Sequence, residues 1–256
     1  MKKLTINNRE ILVYDSIDEL PMVNFQKYNK YMLIDSGIGS DINDIDTHIS
    51  RLAKYIKSDV SKAMQELQNM RQNLYMISSG ISPKHLAFAA LIHSVDGKEV
   101  TDLSDDNLKS MLDSINTVKR SWLVDLLTSI KKKISTELEL YFPEEFTSVK
   151  EKDAYDKLKS RTLLVLEGIR TGNKNTSEID TIDEYLFSLH KPNSFTGNTS
   201  IEIQYDKQFE AACIAIAQKT NLNAKHMTVL QFYSAVDNIK QQTEAEQKIL
   251  NRHKRK

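Results

Sequence analysis

Residues 41–77 read DINDIDTHISRLAKYIKSDVSKAMQELQNMRQNLYMI, and their apolar positions recur every three or four residues. Ile42, Ile45, Ile49, Leu52 and Ile56 form one stripe, and Val60, Met64, Leu67, Leu74 and Ile77 form a second. Ser40 or Asp41 stands where the first helix needs an N-cap acceptor, and Ser58 stands there for the second. The spacing predicts two adjacent antiparallel helices. Only 7 glycines and 4 prolines interrupt all 256 residues, so the same helical reading extends over most of the chain.

Upstream, Leu4 to Ile6 and Ile11 to Tyr14 are β-prone pieces around Asn7, Asn8, Arg9 and Glu10, which predicts a small hairpin because Asn tolerates positive φ. Asp18 then precedes a helix with Pro21 near its start, running through Phe25, Tyr28, Met32 and Leu33 until Gly37 stops it. Downstream, Ser82-Pro83 opens a strongly apolar helix with Leu86, Phe88, Ala89, Ala90 and Ile92, expected to end near Val95 at the centre of the core. Asp96-Gly97 stands between the short β-prone flanks of Val95 to Val100 and marks a tight turn or miniature hairpin, and Ser104 caps the next helix. From Thr117 to Tyr141 the pattern Val118, Trp122, Leu126, Ile130, Ile134 and Leu138 predicts the longest helix so far, ended by Phe142-Pro143.

Lys150 to Ile169 reads as another helix, followed by a polar break at Gly172 to Ser177 and a shorter helix ending near Leu189. Lys191 to Ser200 is a loop by its Pro192, Gly197 and Asn, Ser and Thr content. Ile201 to Tyr205 alternates as a short strand, then come a helix with Phe209, Ala212, Cys213 and Ile216 and a long helix from about Met227. The fold class is therefore mainly α: a multi-helix bundle with an N-terminal β-hairpin and a short strand before the C-terminal helices. Four parts are expected: a hairpin arm at 1–19, a main helical domain at 20–190, a loop at 191–200, and a C-terminal strand plus two-helix module at 201–256. No repeat of fixed period argues for a solenoid.

Lys plus Arg and Asp plus Glu both total 35, so no global field draws the chain to nucleic acid or an anionic membrane surface. A single cysteine, Cys213, suits a reducing compartment. The polar run Asn7 to Glu10 interrupts the N-terminus before a signal-like apolar segment develops. The most apolar stretches fall short of the roughly 18 residues of a membrane span.

Gly37-Ile38-Gly39-Ser40 lacks the Gly-Lys-Ser continuation of a phosphate loop, and Asp41 to Asp46 puts Ile45 and Asp46 where a calcium loop wants an oxygen ligand and glycine. None of His48, His85, His93, His190, His226 and His253 has zinc-like spacing to another histidine or to Cys213. Cys213 shares a helix face with Phe209 and Ile216 and reads as a core thiol, and Lys131-Lys132-Lys133 as a solvated charged face. The sequence thus nominates no catalytic, cofactor-binding or metal-ligating residue. Its one partner-binding candidate is the basic end, Arg252, Lys254, Arg255 and Lys256, where a basic helix terminus suits an acidic partner or nucleic acid.

Leu20-Pro21 with Phe25, Asn29-Lys30-Tyr31 and Ile34-Asp35-Ser36-Gly37-Ile38-Gly39-Ser40, then Asn69 with Arg71-Gln72-Asn73, Ala87-Phe88-Ala89 with Asp96-Gly97-Lys98, and Lys131-Lys132-Lys133 through Glu137-Leu138 to Tyr141-Phe142-Pro143, resemble structural-module proteins of crAss-like phages that infect Bacteroides. Met227 to Tyr233 resembles the end of some phage tail-assembly proteins. The resemblance implies a non-enzymatic virion component made in the host cytoplasm. It implies a homo-oligomeric ring subunit of the head-to-tail connector or tail, with portal or tail proteins as partners. A transient tail- or capsid-assembly chaperone, absent from the mature virion, is the alternative. The resemblance carries over no active-site residue.

Overall fold

A computed structural model describes residues 1–79, 82–115, 120–146, 149–172 and 175–253. The chain divides into one unit of Met1–Glu137 with Asn193–Lys256 and a second of Leu138–Pro192. The C-terminal segment therefore belongs with the N-terminal half.

In the first unit, Asn7 and Asn8 both take positive φ, as do Asp96 and Gly97, which is the backbone that two-residue hairpin turns require. They join β1 (Lys2–Ile6) to β2 (Arg9–Val13), and β3 (Ile92–Val95) to β4 (Lys98–Glu99). All four strands form one antiparallel sheet in the order β1-β2-β3-β4, so the hairpin expected as an arm is half of a sheet. Arg9 Nε donates to Asp96 Oδ2 at 2.8 Å, tying one turn to the other. Ile11, Val13 and Ile92 are fully buried on the sheet's inner face.

Helices α1 (Met22–Ile38), α2 (Ile42–Ser58), α3 (Val60–Ser79), α4 (Pro83–Ala90) and α5 (Asp105–Ile115) follow the expected order. Helix α4 is the centre of the core, with Ala87, Phe88, Ala89 and Ala90 wholly buried. It is shorter than its sequence suggests, because β-branched Ile92 and Val95 pair with β2. Two caps also move. Ser58 is the last residue of α2, and it is Asp59 Oδ1 that accepts the Lys62 N–H at 3.1 Å. Gly39, at φ 75°, rather than Gly37, ends α1, its N–H bonding to the Asp35 carbonyl. Gly37 lies inside α1, with the Phe195 ring against it.

Helix α6 runs from Arg120 to Tyr141; the expected start, 117–119, lies outside the described residues. Glu137 on α6 accepts from the Ser16 hydroxyl and the Ile17 N–H, both at 2.9 Å. After the Lys191–Ser200 loop comes α10 (Ile201–Thr220), a 3-10 turn (Ala224–His226) and α11 (Val229–His253). The strand expected at Ile201 to Tyr205 is the first turns of α10. Ile201, Tyr205, Phe209 and Cys213 continue one i, i+4 stripe, Glu202 suits the positive helix end, and cooperative extension of the helix outweighs five residues of alternation. Backbone bonds from Met22 N to Met227 O, Val229 N to Leu20 O and Leu230 N to Ile17 O join this segment to the start of α1.

In the second unit, α7 (Pro143–Phe146), α8 (Val149–Thr171) and α9 (Thr176–Leu189) follow the end of α6, with part of the expected break, 173–174, outside the described residues. Helices α8 and α9 form an antiparallel hairpin held by Arg161 on Asp183, at 2.5 and 3.0 Å, and by the Tyr185 hydroxyl on Asp153. None of their described residues is buried.

A Cβ built on Gly37 would come 2.3 Å from the Phe195 ring, so the glycine is what lets that ring seat the loop on α1. Gly37→Ala is expected to destabilise the chain by about 1–3 kcal/mol through overpacking, read as a lower urea midpoint. An unchanged midpoint would show that Phe195 has another place to go.

Candidate functional site

Helices α2 and α3 meet through polar side chains. His48, between them, puts Nδ1 2.6 Å from Glu66 Oε2 and Nε2 2.9 Å from the Ile38 carbonyl, and both side chains are buried. Since each ring nitrogen faces an acceptor, the imidazolium opposite a carboxylate fits the arrangement. Burial opposes that charge, but the Glu66 carboxylate and the Ile38 carbonyl outweigh it and raise the His48 pKa. Asn73 Nδ2 donates to the same Ile38 oxygen at 2.8 Å. The C-terminal carbonyl end of α1, where the helix dipole is negative, is thus gripped by one cation and one amide. Asn69 Nδ2 reaches the Asn193 carbonyl at 3.2 Å and holds the far loop to the same face.

Turning these polar groups inward turns the apolar stripes outward. Ile42, Ile49 and Ile56 of α2, with Val60, Met64, Leu67 and Leu74 of α3, are each 41–72% exposed. The contacts of His48 with Glu66 and of Lys62 with the Tyr55 ring fix an antiparallel register. Ile49 and Leu67 each follow the buried pair by one residue. In an antiparallel hairpin that turn of about 100° carries both to the same side. The exposed members of the two stripes read in the sequence therefore lie on one side, with Ile45 and Leu52 half-buried beside them, and they are not the core. Sequence periodicity located this surface but not the side it faces. His48 and Glu66, 18 residues apart on different helices, gave no local signal.

A cleft of about 440 Å³ lies behind α3, with Ile34, Ile38, Met76, Leu86 and Phe195 as apolar walls and Asp105, Lys109 and Glu202 among its polar lining. Asp105 is bound by Lys27 at 2.6 Å and by the Tyr31 hydroxyl at 2.7 Å, and these overcome burial to lower its pKa. Burial raises that of Glu202 against the pull of Lys30. The lining can take an apolar group with a polar end.

The remaining sequence candidates are dispersed. Cys213 is buried, which raises its thiol pKa. His85 pairs with Ser82, and His93 with the Tyr14 hydroxyl, on different elements. Lys133 binds Asp15 at 2.9 Å. Among the described residues no group of three or more His, Cys, Asp or Glu is placed to hold a metal, and no helix is long and apolar enough to cross a membrane. Arg252 lies in α11, its side chain outside the description, and Lys254, Arg255 and Lys256 lie outside the described residues. No protein-family model matches the chain, and neither does any curated protein or any solved structure.

His48→Ala strands the buried Glu66 carboxylate and is expected to cost about 3–5 kcal/mol, whereas replacing both residues by leucine costs less; equal urea midpoints for the two variants would refute the pairing. A raised histidine pKa contributes stability that is complete below the ordinary value of 6.5 and is lost as pH rises through the folded-state value. The unfolding midpoint should fall over that window in the native chain and lose this component in His48→Gln.

Proposed function

We propose that this chain is a non-enzymatic structural subunit of a phage particle, an oligomeric ring component of the head-to-tail connector or tail. It acts by presenting helix faces to sister copies and to portal or tail proteins. The observation that carries this reading is the amount of apolar helix surface left uncovered in each unit. The α2–α3 stripe is one case. In α8, Tyr155, Leu158, Leu163, Leu166 and Ile169 are all exposed, on a hairpin with no buried residue of its own among those described. Solvated apolar faces of this extent mark protein–protein contact, and a two-helix hairpin without a core gains its stability from what covers it. The charge balance of 35 against 35 suits close packing of like subunits, and the resemblance to crAss-like phage structural proteins names the assembly.

Synthesis in the host cytoplasm followed by incorporation into the virion is the expected route. The basic terminus, Arg252 with Lys254, Arg255 and Lys256, is its candidate contact with an acidic partner.

Mass spectrometry of purified particles should find the chain in a fixed ratio to the portal protein. Leu166→Glu with Ile169→Glu should lower its incorporation about tenfold or more, as expected when interface anchors are lost. Finding the chain in assembly intermediates but not in finished particles would overturn the virion role and identify an assembly chaperone instead.

A further inference from the structure

We infer that the exposed α2–α3 face is a self-association surface that takes a second copy of the same hairpin, giving a two-fold four-helix bundle. This names a partner for the assembly role proposed above and rests on that reading only for its biological setting.

Spacing is the first argument. Ile42, Ile49 and Ile56 repeat at intervals of seven, and so do Val60, Leu67 and Leu74. A period of seven is the seam of helices that pack along one another at a shallow angle, whereas a surface for a compact partner carries no such requirement. Charge is the second. Asp46 on α2 and Arg71 on α3 are exposed and unpaired among the described residues. Asp46 precedes Ile49 by three residues and Arg71 follows Leu67 by four, so each flanks the stripe on its outer edge, within about one helical turn of the same level. A two-fold axis running along the hairpin lays α2 of one copy over α3 of the other. Every neighbouring pair of helices is then antiparallel, and Asp46 of each copy meets Arg71 of the other, so the ion pair forms twice.

Area is the third. The 17 residues of α2 give a face about 25 Å long and about 20 Å wide, roughly 500 Å² per copy. The roughly 1,000 Å² total is near the lower bound for a specific interface, the size class of weak, transient pairing. In a ring of cyclic symmetry, a self-complementary face of this kind joins subunits of two stacked rings, not neighbours within one.

The test is light scattering of the purified full chain from about 1 to 100 µM, the range that brackets such affinity. The expected result is a rise in mass from 29.4 kDa to twice that value. Asp46→Arg and Arg71→Asp should each weaken pairing about tenfold, and their combination should restore it to within about threefold. Ile49→Asp with Leu67→Asp should abolish it while leaving a folded, helical monomer by circular dichroism, because both side chains are 41–49% exposed, and its melting point should no longer rise with protein concentration. A chain monomeric throughout, a combined charge reversal that fails to rescue, or an undiminished dimer in the Ile49, Leu67 variant would each overturn the pairing. A monomer that is nevertheless present in particles would sink the pairing and leave the virion role standing. A rescued dimer absent from particles would do the reverse.

Discussion

The grip of His48, Glu66 and Asn73 on the end of α1 determines which way the α2–α3 hairpin faces. A helix has one apolar side here and one polar side, and only one can be buried against the rest of the unit. A buried ion pair with a hydrogen bond from its second nitrogen is costly to leave half made, and Ile38 supplies the acceptor that completes it. Once that contact forms, rotating either helix to bury its isoleucines would carry an uncompensated charge into water on one side and leave another charge unpartnered within. The exposed stripe is the consequence of satisfying the polar cluster, and it leaves apolar surface in water that burial against another surface would stabilise.

That inversion explains what could be read from the sequence. Asp41 and Ser104 marked helix starts because capping is a local transaction between a side chain and the next few amides, and Pro83 marked another because its fixed φ suits the first helical position. Asn7-Asn8 and Asp96-Gly97 marked turns for an equally local reason, their tolerance of positive φ. What escaped was non-local. Nothing near Ile92 announces β2 as its partner, and five alternating residues at Ile201 could not reveal that the stripe continuing to Cys213 would win. Periodicity gave the apolar stripes of α2 and α3, but a stripe looks the same whether it meets its own core or solvent.

The ionisable groups of the cleft behind α3 also serve the packing of the helices around it. Asp105 is already held by an ammonium and a phenol, and Lys30 is bound to Asp206 at 2.6 Å. These contacts tie α1 to α5 and α10. The lowered pKa of Asp105 reflects contacts that hold helices together, and perturbed titration is as much a mark of structural ion pairing as of catalysis.

The two units reach their stability by different routes. The first has a core centred on α4 and closes its ends by backbone bonds between Leu20 to Met22 and Met227 to Val229, so it is able to fold as a single chain. The α8–α9 hairpin, with an Arg161–Asp183 pair and apolar residues only partly covered, has little to oppose the conformational entropy of ordering some forty residues, which at about 1–2 kcal/mol per residue is large. Surface ion pairs contribute too little to offset it. Covering the leucines and Ile169 with a neighbouring molecule would supply the missing term, and that is the contact the proposed assembly role calls for.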